Sequence, residues 1–179
     1  MNSARASIAF CPGCGHQTSG GESPKYFQCE QCGYRLYQNP TVSACPLFFR
    51  PDGTILLVRR ARDPHMGKLG IPGGFVDAGE SVEAALKREL FEELKMEVTE
   101  WTFFGGWPNK YPYKGVSYDV LDLYFLIEAQ GEMIVEASEI VGYEWRDPWT
   151  IADEEIAFES LRAALAHWRT LNGAPAQVQ

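Results

Sequence analysis

The chain reads as an α/β protein, a mixed sheet covered by helices on its faces and preceded by a small cysteine-bearing module. Three observations predict this. Short runs of apolar and β-branched residues begin at Thr41 and are interleaved with two helical patterns, one mid-chain and one terminal. Four of the five cysteines fall in two C-x-x-C pairs before Gly33. A length of 179 residues suits one well-buried domain of ordinary size plus a short accessory unit, and hardly two full domains. The division falls at residues 1–37 and 38–179.

In the N-terminal module, Cys11-Pro-Gly-Cys14-Gly and Cys29-Glu-Gln-Cys32-Gly are separated by fourteen residues, one short of the usual spacing of a four-cysteine zinc site. Two residues between thiolates let each pair close a tight turn on one tetrahedral ion. The glycine after each second cysteine permits the positive φ that such turns need. Residues 15 to 28 carry few apolar groups, so metal binding has to supply the folding energy of this ribbon. The competing reading, redox dithiols or disulfides, is disfavoured because two pairs occur together with no βαβ pattern around them. A closed Cys₄ site leaves no open coordination position, so the Zn²⁺ is expected to be structural. Cys45 stands alone in an apolar run and reads as a buried packing residue.

The main domain starts after Tyr37-Gln-Asn-Pro40. Residues 41–49 read as a strand, with Pro46 hinting at a bulge or an edge, and residues 54–60 read as a second strand. The turn signal Pro51-Asp52-Gly53 predicts that the two form a hairpin. Residues 61–74 are loop-like. A helix is expected from Val82 to Lys95, with Ser81 as N-cap and Glu83 in the first turn. Strands are expected over 100–105, 116–129 and 143–146. The last helix is expected over 154–171, with Asp153 as N-cap, Phe158, Leu161, Leu165 and Trp168 along one face, and Gly173 and Pro175 as stop signals.

Sixteen basic against twenty-four acidic residues give a net charge of −8, so the molecule repels polyanions and nucleic-acid binding is not expected. Within residues 1 to 40, Arg5, Lys25 and Arg35 stand against Glu22 and Glu30, which argues against a nucleic-acid-binding ribbon. No segment has the length and apolarity of a spanning helix or a secretory signal, so no membrane role and a cytoplasmic location are expected.

Function is written most clearly in the mid-chain helix. At 100° per residue, with Glu89 at zero, Glu92 falls at about −60° and Glu93 at about +40°, which gathers three carboxylates on one arc. Val82, Leu86, Leu90 and Leu94 lie beside that arc at about 20° to 140°. If the apolar stripe is buried, the carboxylates sit at the margin of the core, where like charges are costly without cations. Oxygen-only ligands select Mg²⁺ or Mn²⁺ over softer metals. A solvated acidic face is the bland alternative for any Glu-rich helix, and the surrounding sequence turns the choice.

From Gly74 to Met96 the chain resembles the Nudix box, G-x5-E-x7-R-E-U-x-E-E-x-G-U with U apolar, matching at Gly74, Glu80, Arg88, Glu89, Leu90, Glu92, Glu93 and Met96. One position departs: Lys95 stands where the box has glycine, and a left-handed backbone there would cost Lys about 1 kcal/mol relative to Gly. The resemblance implies a Nudix α/β/α sandwich with a mixed sheet, and water attack on a diphosphate with divalent ions held by the box glutamates. Carried over, Glu89, Glu92 and Glu93 are metal ligands, the Gly73 carbonyl completes a site, and Arg88 orients the carboxylates. The base is Glu93 in the first place, Glu89 in the second and a downstream carboxylate in the third. A downstream ligand is expected near the strand at 143–146, where Glu136, Glu139 and Glu144 are candidates and Glu139 is the choice.

The Cys₄ ribbon, the Tyr-Gln-Asn-Pro linker and the box together look like the NADH pyrophosphatase branch. That branch carries Ser-Gln-Pro-Trp-Pro-Phe-Pro downstream, whereas this chain has Gly106-Trp-Pro-Asn-Lys-Tyr-Pro-Tyr-Lys-Gly115. Trp107, Tyr111 or Tyr113 is therefore expected to stack on a base, and Lys110 or Lys114 to meet phosphate, unless this aromatic loop only packs on the sheet or at a dimer interface. The implied activity is hydrolysis of a nucleoside diphosphate derivative of the NADH, ADP-ribose or FAD type. The partner is a small-molecule nucleotide, the cofactors are Mg²⁺ (or Mn²⁺) and structural Zn²⁺, and a homodimer is suggested. The rival function is a non-catalytic nucleotide sensor, since a fold does not fix an activity.

Overall fold

The structure is a computed structural model, and it describes residues 8–18 and 25–173. The N-terminal module is a two-stranded antiparallel ribbon, β1 (Tyr26–Gln28) and β2 (Arg35–Tyr37), joined across the turn that carries Cys29 and Cys32. Its own core is Cys11, Phe27 and Cys29 with Ile8 packed alongside. That is far too little apolar surface to hold a fold by itself, in keeping with a metal-dependent ribbon.

The main domain contains β3 (Thr41–Phe48), β4 (Ile55–Arg60), β5 (Leu69–Gly70), β6 (Gly74–Phe75), α1 (Val82–Leu94), β7 (Glu97–Tyr113), β8 (Val116–Gln130), β9 (Ile140–Arg146) and α2 (Glu159–Asn172). A four-stranded mixed sheet has the order β6-β3-β8-β7, with β3 and β8 parallel and the other pairs antiparallel. A three-stranded antiparallel sheet has the order β5-β4-β9. Residues 41–60 are not the hairpin expected from Pro51-Asp52-Gly53. The turn exists, but β3 and β4 meet only at the Phe49–Ile55 bridge, because β3 is engaged along its whole length by β8 and β4 by β9. Pro46 is tolerated because β6 covers only Ser43 and Ala44, beyond which β3 is an edge.

Two cores on opposite faces follow from strand alternation. Ala44, Leu56 and Val58 pack with Ala85, Leu86, Leu90 and Leu94 of α1, whereas Cys45, Leu47, Ile55 and Leu57 pack with Leu161, Ala164 and Leu165 of α2. This is the α/β/α sandwich. Each fully buried leucine of α1 contributes about 1.5–3 kcal/mol, which anchors the helix and with it the carboxylates of its other face. At the N-terminus of α1, Ser81 Oγ accepts from Ala84 N at 3.2 Å. At its end, Lys95 is left-handed with φ 58° and ψ 22°, donating its N–H to Phe91 O and its Nζ to Glu92 O.

The terminal helix begins later than expected. Asp153–Glu155 form a single 3₁₀ turn, and α2 starts at Glu159 after Phe158, which gives no side-chain cap. The cause is Ile156 and Ala157, whose extended backbone bridges to Leu69 and so cannot be helical. Gly173 closes α2 with φ 66°, while Pro175 lies outside the described residues. The region 106–115 is no loop. β7 and β8 form one long hairpin turning at Lys114 and Gly115, and the expected strands 100–105 and 143–146 extend to Glu97–Tyr113 and Ile140–Arg146.

Candidate active site

Beneath the first turn of α2 and beside α1, the strands enclose a cavity of about 820 Å³, within the range of small-molecule sites. Its wall near α1 is built around one arginine. Arg88 forks both Nε and Nη2 onto Glu80 at 2.9 Å, gives Nη1 to Glu89 at 2.7 Å and to Glu92 at 3.3 Å, and reaches Phe75 O at 3.1 Å. It thus holds the box carboxylates in place and ties α1 to β6. Pairing with Arg88 holds the Glu80 carboxyl below the usual range, while burial raises that of Glu89 against the pull of Arg88.

Glu93 is the most exceptional member. It is 8% exposed, no basic side chain among the described residues pairs with it, and its Oε2 accepts from Gly73 N at 2.9 Å. Burial pushes its pKa up to about 8. Gly73 stands at φ 118°, and a Cβ there would run into the Ala44 carbonyl oxygen. A Cβ on Gly74 would sit 2.5 Å from Glu89 Oε1. The Gly-Gly pair is what lets this backbone approach the carboxylates.

Of the candidates read from the sequence, Gly73, Glu89, Glu93, Glu139, Tyr111 and Tyr113 line the one cavity. Glu139 stands just before β9, its Oε1 accepting from Arg62 at 2.7 Å. Glu144 instead pairs with Arg59 and Arg146, and Glu136 accepts from the backbone of Ser138. Glu92 does not line the cavity. Its side chain is 59% exposed and turns to Arg88. Two of the expected substrate contacts need correction. Trp107 packs edge-on to Tyr124 and against Phe104 and His167, inside the α2-side core. Lys110 points to the other face of the β7–β8 hairpin and pairs with Asp119. Because the segment is a strand, alternate residues face opposite ways and cannot all meet one ligand. Lys114 occupies the hairpin turn with φ 46°, its Nζ over the Tyr113 ring, and it is not among the cavity residues.

Sequence reasoning missed Arg60, Arg62, Phe75, Asn109, Asp122 and Phe158, all of which line the cavity. Phe75 sits edge-on to Tyr111, and Tyr111 lies nearly parallel to Phe158 at 6.0 Å. Six carboxyl groups, Asp63, Asp77, Glu89, Glu93, Asp122 and Glu139, face two arginines, Arg60 and Arg62. Cations would offset the repulsion that an anionic ligand meets in such a space. In the N-terminal module the four cysteine sulfurs all lie within 4.8 Å of one another, with Cys11–Cys32 at 3.7 Å and Cys14–Cys29 at 3.8 Å. That is the compactness a tetrahedral thiolate site requires.

The NUDIX domain model matches residues 39–168, which include every residue that lines the cavity. The chain belongs to the Nudix family. It is 32% identical over 142 residues to the NAD-capped RNA hydrolase NudC of Haemophilus influenzae (strain PittGG), covering 76% of this chain and 50% of that protein. It is 33% identical over 141 residues to the NAD-capped RNA hydrolase NudC of Pseudomonas aeruginosa (strain LESB58), with 76% and 46% covered. The chain thus spans about half the length of the curated relatives it matches. Among solved structures, a MutT NUDIX hydrolase from Burkholderia pseudomallei superposes with a TM-score of 0.59 at 28% identity, covering 72% of this chain and 97% of that one. A NUDIX hydrolase from Nitrosomonas europaea gives 0.66 at 22% identity over 94% and 96%. The Nudix fold accounts for the sheet order and the two flanking helices. Among the described residues no helix is long and apolar enough to cross a membrane.

Proposed function

We propose that this Nudix protein is a Mg²⁺-dependent hydrolase that cleaves the diphosphate linkage of a nucleoside diphosphate derivative of the NADH, ADP-ribose or FAD type. The carrying observation is Glu93, a buried carboxyl with no basic partner among the described residues, facing the same cavity as Glu89 and Glu139. A purely structural carboxylate in that position would cost several kcal/mol, whereas a divalent cation offsets the cost. The donor set is all oxygen and fits Mg²⁺ or Mn²⁺: Glu89, Glu93, Glu139 and the Gly73 carbonyl would hold it, with Glu92 reaching in from the rim. When bound, the cation neutralises charge that develops on the diphosphate oxygens and acidifies water.

The protein's own groups do the rest. Gly73 N–H fixes one oxygen of Glu93, which leaves Oε1 to take the proton of the attacking water, with Glu89 as the second candidate for that role. The water oxygen bonds to phosphorus, the bond from that phosphorus to the bridging oxygen breaks, and a mononucleotide and a phosphorylated partner leave. Arg88 holds Glu80, Glu89 and Glu92 and takes no proton. Phe75, Tyr111 and Phe158 offer aromatic faces to a planar ring of the substrate. The names of the relatives point to NAD-linked substrates, and the net charge of −8 favours a small dinucleotide over an RNA-linked one. A complete carboxylate set is superfluous in a sensor, which favours the enzyme. In the ribbon, Cys11, Cys14, Cys29 and Cys32 would hold a structural Zn²⁺, which their mutual closeness supports.

The test is a panel of NAD(H), ADP-ribose, FAD and NAD-capped RNA, with product analysis, on the wild type and Glu93→Gln. Mg²⁺-dependent release of a mononucleotide that the variant loses supports the assignment. Absence of turnover in the wild type, or equal turnover in the variant, overturns it.

A further inference from the structure

The floor of the cavity is polar in a way the hydrolytic chemistry does not use. At one level of the mixed sheet, Ser43 of β3 is the register partner of Asp122 of β8. Asp122 is 6% exposed and lines the cavity. Its Oδ1 accepts from the Ser43 hydroxyl, and its Oδ2 accepts from Ser160 Oγ at 2.5 Å and from Asn109 Nδ2 at 2.8 Å. Ser160, 1% exposed, in turn accepts from Tyr124 OH at 3.0 Å. Two hydroxyls and an amide are the partners of this carboxylate, and no basic side chain pairs with it among the described residues.

Burying a carboxylate without a cation is a poor way merely to fasten α2 to the sheet, since apolar packing of the same volume is usually at least as stable. A carboxylate has about four acceptor positions and three are filled here, so one on Oδ1 remains on a residue that lines the cavity. The hydroxyl hydrogen of Ser43 is already committed to Oδ1, so Ser43 too presents lone pairs. Asp122 and Ser43 make their part of the floor hydrogen-bond accepting. The rings of Phe75, Tyr111 and Phe158 line the same cavity.

We propose that Asp122, with Ser43 and Asn109 positioning it, is a specificity-determining subsite for a planar ring bearing an NH₂ group, and that it rejects the same ring bearing an oxo or carboxylate group. This rests on the nucleotide-hydrolase reading above. Two sources share the chemistry, the carboxamide of a nicotinamide and the amino group of an adenine. An oxygen in place of the NH₂ group leaves a buried acceptor facing an acceptor, which sites of this kind discriminate far more strongly than a missing methylene. A carboxylate edge adds like-charge repulsion.

The experiment compares nicotinamide adenine dinucleotide with its nicotinate analogue and its hypoxanthine analogue, each of which changes one NH₂ group. Both kcat/KM with Mg²⁺ and, independent of turnover, Kd by calorimetry without Mg²⁺ are measured for the wild type and Asp122→Asn. One of the two analogues is expected to be at least about tenfold weaker with the wild type, and which one identifies the ring that enters. Asp122→Asn is expected to shrink that ratio to within about threefold, whereas Ser160→Ala, which loosens α2 but keeps the carboxylate, retains it. Equal handling of all three ligands by the wild type overturns the proposal, whether or not Asp122→Asn folds. A variant that loses all three ligands in proportion also overturns it, since that is the signature of a structural role. Absence of Mg²⁺-dependent turnover with a preserved Kd ratio would count against the hydrolase and for the subsite.

Discussion

Replacing Glu93 with glutamine should stabilise the metal-free protein at high pH and destabilise it at low pH. The wild-type carboxyl has a pKa raised by burial from 4.5 to about 8. Between those values the native state holds a proton that the unfolded chain has released, so stability falls as pH rises through the window. At pH 8 the loss amounts to about 4 kcal/mol, and at pH 5 to about 1 kcal/mol. Glutamine keeps the shape and the hydrogen bond from Gly73 N, but brings an NH₂ whose burial without a partner costs about 1–3 kcal/mol. The two terms cross. The variant should melt at or below the wild type at pH 5 and above it by about 1–3 kcal/mol at pH 8, or about 2–12 °C for a chain of this size.

The assay is a calorimetric melt of both proteins in Mg²⁺-free buffer at pH 5, 6.5 and 8 with zinc retained, repeated with added Mg²⁺. A cation that binds only the native state at a hundredfold excess over its Kd stabilises by about 2.7 kcal/mol. That increment should be large for the wild type at pH 8 and nearly absent in the variant, whose turnover falls on the order of 10²–10⁴-fold. Parallel pH slopes for the two proteins would refute the reasoning, because they would mean that Glu93 is not the group whose ionisation the fold resists.

Three further outcomes are expected. Lys95→Gly should raise stability by about 1 kcal/mol in chemical denaturation, since the left-handed φ of 58° is strained for lysine, and no gain would show that the Nζ bond to Glu92 O offsets the strain. Arg88→Lys keeps the charge but cannot fork onto Glu80 while reaching Glu89. The Mg²⁺ concentration for half-maximal turnover should rise on the order of 10–100-fold, and an unchanged midpoint would remove Arg88 from its orienting role. Elemental analysis should find one zinc per chain, lost on joint replacement of Cys11 and Cys29 by serine, while the main-domain melting transition persists. A zinc-free preparation with the ribbon still folded would refute that site.

Sequence was most legible where spacing along the chain is also proximity in space. The positions of Glu89, Glu93, Leu86 and Leu90 follow from one helix, and the cysteine quartet from two tight turns, so both were readable without knowing the fold. The β7–β8 hairpin was not. Reading 106–115 as a loop allowed Trp107, Lys110 and Tyr111 to share a ligand, whereas a strand sends Lys110 to one face and Tyr111 to the other. Proline at 108 and 112 masked the strand. It is tolerated because β7 is the outer strand of its sheet, with an unpaired edge. The hairpin expected at 41–60 failed for a related reason: the turn chemistry was correct, but long-range pairing of β3 with β8 outweighed it.

Asp122 shows how a nonlocal site still leaves a trace. In Val-Leu-Asp-Leu-Tyr-Phe it occupies the alternation class of Val120 and Tyr124, both buried, so a carboxylate there demands an inward partner. The partners Ser43, Asn109 and Ser160 come from three other elements, and no spacing rule joins them. The same division explains the catalytic wall. The helix that presents Glu89 and Glu93 is anchored by its own leucines, yet Glu93 becomes costly only because Gly73, a β6-adjacent residue without a side chain, lets the backbone close over it. On the proposed reading, stability lost at Glu93 would be recovered when a cation binds, so the same burial that weakens the metal-free fold would favour a divalent ion at the site. A substitution that relieves the first should abolish the second.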